Sequence, residues 1–165
     1  MQGLPSLAVV VVGLPLSYKK QDDKDDNRDY KPLANLLVVD DDPDIAHVLK
    51  QSLLKNKFLV SAFTNPEEAL QNFQSNSKDY CLVLSDIRMP GLSGIRLARK
   101  VKEINPEVKV ILMTSFEIRD NEFSKVFPST HVDGFVQKPV GGIKNLTNKI
   151  LDTIGETKRR VYEQQ

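Results

Sequence analysis

Four short apolar runs in this chain each end on a group that can do chemistry. "LLVVD" leads into Asp40 and Asp41, "CLVLSD" ends on Asp86, "VILMTS" on Thr114 and Ser115, and "FVQKP" on Lys138 before Pro139. If the runs are neighbouring strands, three carboxylates share one edge, and two unit charges about 4 Å apart repel by roughly 4 kcal/mol at an effective dielectric near 20. Something must neutralise them. A small hard cation does so, because Mg2+ takes oxygen ligands octahedrally, keeps several waters and commonly shares its remaining positions with a phosphate. Lys138 adds a second positive charge and Thr114 a hydroxyl donor. The set therefore reads as a phosphoryl cradle around a carboxylate nucleophile, and carboxylates do form acyl-phosphate intermediates.

Such a cradle needs elements that bring the runs together. The first strand spans about Asn35 to Asp40, and "DPDIAHVLKQSLLKN" follows as a helix with Asp42 as N-cap, Pro43 at the first helical position, and Ile45, Val48, Leu49 and Leu53 on one face. "FLVSAF", Phe58 to Phe63, is the second strand, ending at Thr64, which offers no comparable group. "NPEEALQNFQ" opens a helix on Asn65 and Pro66, with Glu67 and Glu68 at the positive end of its dipole. "YCLVLSD" is the third strand, and the helix "SGIRLARKVKEIN" turns Ile95, Leu97, Ala98, Val101 and Ile104 to one side before Pro106 closes it. "VKVILMTS" and "GFVQKP" hold the fourth and fifth strands, and a last helix places Ile143, Leu146, Ile150, Leu151 and Ile154 at helical spacing. Strands one, three and four are almost continuously apolar, as in a parallel sheet covered on both faces. In such a sheet ligands bind beyond the carboxyl ends of the strands, where all four reactive runs stop.

Length and composition agree with one domain of 165 residues, and a formal net charge of +1 gives no pull toward nucleic acid or an anionic membrane. Cys81, the single cysteine, cannot close an internal disulfide; it sits in an apolar run, where packing and a reducing, cytoplasmic compartment are expected. Residues 6–16, "SLAVVVVGLPL", are apolar but well short of the ~20 residues that span a bilayer. No basic start or small-residue cleavage pattern marks them as a secretory signal, so an extra strand, an apolar arm or an upstream stretch from a misassigned start remain the readings. Residues 17–31 carry five basic and five acidic side chains and no aliphatic one, the composition of a flexible linker. The expected division is an arm and linker over residues 1–32, a domain over 33–157 and a tail over 158–165.

Taken in order and spacing, "LLVVDDDPDI", "LVLSDIRMPGLSG", "VILMTS" and "FVQKP" resemble the motifs of the receiver domain of two-component response regulators, over about Leu33 to Gly155. The resemblance implies a three-layer, doubly wound α/β fold of the flavodoxin-like receiver type, with a five-stranded parallel sheet in the order 2-1-3-4-5. It implies that Asp86 accepts a phosphoryl group from a sensor histidine kinase or a histidine phosphotransfer protein. Asp40 and Asp41 match the acidic pair that binds Mg2+, with a further metal contact from the backbone carbonyl of Arg88. Thr114 matches the switch hydroxyl, Lys138 the lysine that pairs with the phosphoryl group, and Phe135 an aromatic that rotates inward as Thr114 moves. The Lys138–Pro139 peptide is often cis in such domains, and Arg88 and Phe116 stand where the family tunes phosphoryl lifetime. Here they are expected to shield Asp86 and slow hydrolysis. "SFEIRDNEFSKVFPSTHVD", after Thr114, departs from the family's pattern and suggests a short helix in the usual signalling face.

Other polar residues have plainer explanations. Asp42 and Asp44 suit a cap and a first-turn charge, His47 and His131 surface or packing positions, and the basic run at Lys158–Arg160 a helix C-terminus. The expected protein is a stand-alone phosphorylatable switch, cytoplasmic, without membrane span or direct nucleic-acid contact, acting through an unidentified downstream protein. Phosphorylation-linked homodimerisation is one mode the resemblance allows. The competing readings are a phosphorelay shuttle, an unphosphorylated binding module, and an aspartate-nucleophile phosphatase, which wants a second aspartate where Arg88 stands.

Overall fold

The structure, a computed structural model, describes residues 31–115, 131–138 and 142–163, with side chains of the last helix as far as Gly155. The apolar arm, nearly all of the charged linker, the departure after Ser115 with Phe116, the Lys138–Pro139 peptide and the last tail residues lie outside that range.

Strands and helices alternate from the start. β1 (Asn35–Val39), α1 (Pro43–Lys55), β2 (Leu59–Phe63), α2 (Pro66–Asn76), β3 (Leu82–Asp86), α3 (Gly94–Ile104) and β4 (Lys109–Thr114) are followed by β5 (Gly134–Gln137) and the last helix, α4 (Ile143–Glu163). Local chemistry sets the helix starts. Asp42 accepts from the backbone N–H groups of Asp44 and Ile45, Asn65 from those of Glu67 and Glu68, and in both helices proline occupies the first turn, where its missing N–H costs nothing. Ser93 accepts from the N–H of Arg96 at the start of α3.

The five strands form one parallel sheet in the order β2-β1-β3-β4-β5. Alternate residues of each central strand face opposite ways, so two cores form. Leu37, Val39, Val83, Val110 and Leu112 pack with Phe73 of α2 and Leu97, Ala98 and Val101 of α3. Leu36, Val38, Leu82, Leu84, Ile111 and Met113 pack on the other face with Leu49 and Leu53 of α1 and Leu146 and Ile150 of α4. Continuous apolar strands are what two covered faces require.

Four expectations about packing change, the first being Ile104, which is 38% exposed at the end of α3 rather than buried with Leu97, Ala98 and Val101. Val48 is 60% exposed, because the buried stripe of α1 centres on Ala46, Leu49 and Leu53, and Val48 lies about 130° around the helix from it at roughly 100° per residue. Leu151 is 38% exposed for the same reason, the inward positions of α4 being Leu146, Ile150 and Thr153. Cys81 is exposed rather than packed: β3 begins one residue later, and only the Cys81 backbone joins the sheet, donating to Asn35 and accepting from Lys109.

Candidate functional site

The carboxyl edge of the sheet is built by backbone pairing that runs past the strand ends. Asp40 N–H donates to the Phe63 carbonyl at 3.1 Å, Ile87 N–H to Met113 at 3.0 Å, and Lys138 N–H to Thr114 at 2.6 Å. These bonds hold the residues that close β1, β3 and β5 on one rim.

On that rim Asp40, 1% exposed, accepts from the Asp42 N–H through Oδ1 and from the Lys138 ammonium through Oδ2. The same Lys138 Nζ stands 3.2 Å from Asp86 Oδ1. Asp41 is exposed, yet one of its carboxylate oxygens and one each from Asp40 and Asp86 lie within 4.8 Å of one another. The described residues thus bring four of the expected site residues together.

The electrostatics follow from this crowding. Burial raises the Asp86 pKa above 3.8, repulsion from Asp40 and Asp41 adds to the rise, and Lys138 opposes it without cancelling it. For Lys138, burial favours loss of the proton, but Asp40 first and then Asp86 outweigh it and the pKa is raised from 10.5. The amine is held as an ammonium. Three hard oxygen donors around one lysine leave an excess of negative charge with an open side at Asp41, a donor set suited to a hydrated divalent cation.

Thr114, 7% exposed, ends β4, the strand whose Met113 pairs with Asp86. Phe135 on β5 is half-buried and packs against the α2–α3 core, two residues before Gln137, which pairs with Thr114. Arg88 is exposed in the loop between β3 and α3. Asp42 and Asp44 are exposed and engaged at the α1 cap, and His47 and His131 are exposed.

One position that shapes the site, Gly94, and one charge hub remote from it, Asp133, were not singled out from the sequence. A Cβ placed on Gly94 would sit 2.0 Å from the Asp86 carbonyl oxygen and 2.9 Å from its carbon, so α3 can start against the Asp86 backbone only with glycine there. The signal was present: glycine next to the Ser93 cap serves no helix-forming purpose. Asp133, far from the cluster along β4, receives Lys102 at 2.9 Å, Lys109 at 3.5 Å and the Val110 N–H at 2.8 Å.

A doubly wound parallel sheet in this order, with paired aspartates, a strand-end aspartate and a lysine on its carboxyl rim, defines the flavodoxin-like class of signalling receivers. The family model described as "Response regulator receiver domain" matches residues 36–151, and the chain belongs to that family. Over 84 residues it is 34% identical to the response regulator receiver protein CpdR of Brucella abortus, covering 51% of this chain and 68% of CpdR. It is 38% identical over 81 residues to the C4-dicarboxylate transport transcriptional regulatory protein DctD of Rhizobium meliloti, covering 48% of this chain but 17% of DctD. Among solved structures, the response regulator receiver domain protein of Clostridium thermocellum superposes with a TM-score of 0.69 at 28% identity, over 76% of this chain and 98% of that one. The response regulator TrrA of Thermotoga maritima, solved with Mg2+ and BeF, gives 0.63 at 31% identity, over 73% and 99%. No helix among the described residues is long and apolar enough to cross a membrane.

Proposed function

We propose that the chain is a phosphorylatable switch in which Asp86 accepts a phosphoryl group from the phosphohistidine of a sensor kinase or phosphotransfer protein and signals through protein–protein contacts. The observation that carries this reading is the Lys138 ammonium shared between Asp40 and Asp86 beside the exposed Asp41 carboxylate.

Each group has a derivable part. Asp86 is the nucleophile: one of its oxygens bonds to phosphorus as the donor's P–N bond, or the P–O bond of a small acyl phosphate, breaks. Phosphoryl transfer asks for position and charge stabilisation more than covalent work, so rigid delivery of Asp86 by β3 supplies the first part. Lys138 offers a fixed positive charge to the developing phosphoryl oxygens, and Thr114 a hydroxyl at the neighbouring strand end. Asp40, Asp41 and Asp86, with the Arg88 carbonyl that the family resemblance adds, are the groups that would hold Mg2+, which would supply charge neutralisation. Phosphorylated Asp86 draws Thr114 and then Phe135 toward one of two arrangements, a population shift carried to the surface of β5.

The direct test is incubation with acetyl phosphate and Mg2+, followed by intact mass. A gain of one phosphoryl group that requires both Mg2+ and Asp86 is expected. An equal gain in Asp86→Asn would place the acceptor elsewhere.

A further inference from the structure

Between α1 and α4, on the sheet face they cover, lies a groove of about 370 Å3. Ile45, Val48 and Leu49 line it from α1 and Ile143 and Leu146 from α4, with the Lys138 side chain also in its wall. Val48 is among the few large apolar side chains of the described residues left mainly in water. We propose that the occupant of this groove is the chain's own apolar segment, residues 6–16.

Composition and tether both point to that segment. "SLAVVVVGLPL" carries no charged side chain and matches the valine, leucine, isoleucine and methionine that make up most of the groove wall, so burial of apolar area drives the contact, with Ser52 and the charged Asp44 and Lys138 as the other parts of the lining. The chain enters the described fold at residue 31, and the Leu33 N–H donates to the Lys57 carbonyl at 2.9 Å. That bond fixes the entry point just beyond the C-terminal end of α1, the helix that lines the groove from Asp44 to Ser52. Three helical residues, Leu53 to Lys55, and then Asn56 separate Ser52 from Lys57, a path of at most about 12 Å, whereas residues 17–32 extend to roughly 50 Å. Reach is not limiting, and a tether of this length keeps the segment at an effective concentration on the order of millimolar. Lys138 belongs both to the groove wall and to the carboxylate cluster, but the contact is read out without phosphorylation, so its failure and that of the phosphoacceptor reading are distinguishable.

A spin label on Val10→Cys, in the full chain carrying Cys81→Ser because Cys81 is exposed and would also react, reports the position of the segment. The expected result is selective loss of methyl signal at Val48, Leu49 and Ile143, with Leu97 and Val101 on the opposite face unaffected and the pattern unchanged on dilution. Val48→Asp, at an exposed position that leaves the core intact, is expected to restore the Leu49 and Ile143 signals. Uniform loss, no loss, loss that fades on dilution as for a second copy's segment, or a pattern indifferent to Val48→Asp would each overturn the proposal.

Discussion

Lys138, which follows β5, holds its ammonium 3.2 Å from Asp86 at the end of β3 and in direct contact with Asp40 beyond β1. One amine thus ties together strand ends with β4 between β5 and β3. Asp40 is 1% exposed, so the lysine is its principal charge partner as well as a candidate phosphoryl contact.

Removing that amine leaves a buried carboxylate uncompensated. Lys138→Met is expected to lower stability by roughly 2 kcal/mol in Mg2+-free buffer, less than the ~3–5 typical of a fully enclosed pair because the Asp41 side is open to water. Denaturant titration measures the loss, and added Mg2+ should recover part of it. A variant as stable as the parent without Mg2+ would contradict the pairing.

Asp86 works in the opposite sense. Its pKa is raised above 3.8, so the folded state holds the proton more tightly than the unfolded chain, and stability falls as pH rises from 3.8 through the folded value. Asp86→Asn, which carries no charge, is therefore expected to melt above the parent at neutral pH without Mg2+. The gain should vanish below pH 3.8, where the carboxyl is protonated in both states. Mg2+ should reverse the order by binding the parent better, since a ligand at about 100 times its Kd adds about 2.7 kcal/mol.

Gly94 can be separated from simple helix propensity. Alanine improves propensity in a helix, but here its Cβ meets the Asp86 carbonyl at 2.0 Å, so backbone must move. Gly94→Ala is expected to lose about 1–3 kcal/mol, as overpacked sites do, and to slow phosphorylation by acetyl phosphate at saturating Mg2+. Gly155→Ala, where nothing lies within 4 Å, is the control and should do neither.

Asp133 supplies the complementary case. It anchors Lys102, Lys109 and the Val110 N–H at the far end of β4 from Thr114. Asp133→Ala is expected to cost about 1–2 kcal/mol through the lost bonds to a half-buried charge, with no change in the rate at which Asp86 is phosphorylated. A stability loss accompanied by a rate loss would mean the two ends of β4 are coupled.

Much of the architecture is legible in one dimension because its causes are local or periodic. Asp42–Pro43 and Asn65–Pro66 announce helices through caps that act within three residues, and the unbroken apolar runs of β1, β3 and β4 require two covered faces whatever their order. The same runs identify Asp40, Asp86 and Lys138 as strand-end groups by type and position alone. Tertiary structure decided the rest. Which stripe of α1 faces inward depends on the neighbouring sheet, so Val48 is left in water; the exposure of Cys81 turns on where β3 begins. The need for glycine at residue 94 exists only because α3 starts against the Asp86 carbonyl. Sharing of Lys138 between Asp40 and Asp86, 98 residues apart in one pair, is likewise a product of sheet order, since distance across strands has no trace in sequence spacing.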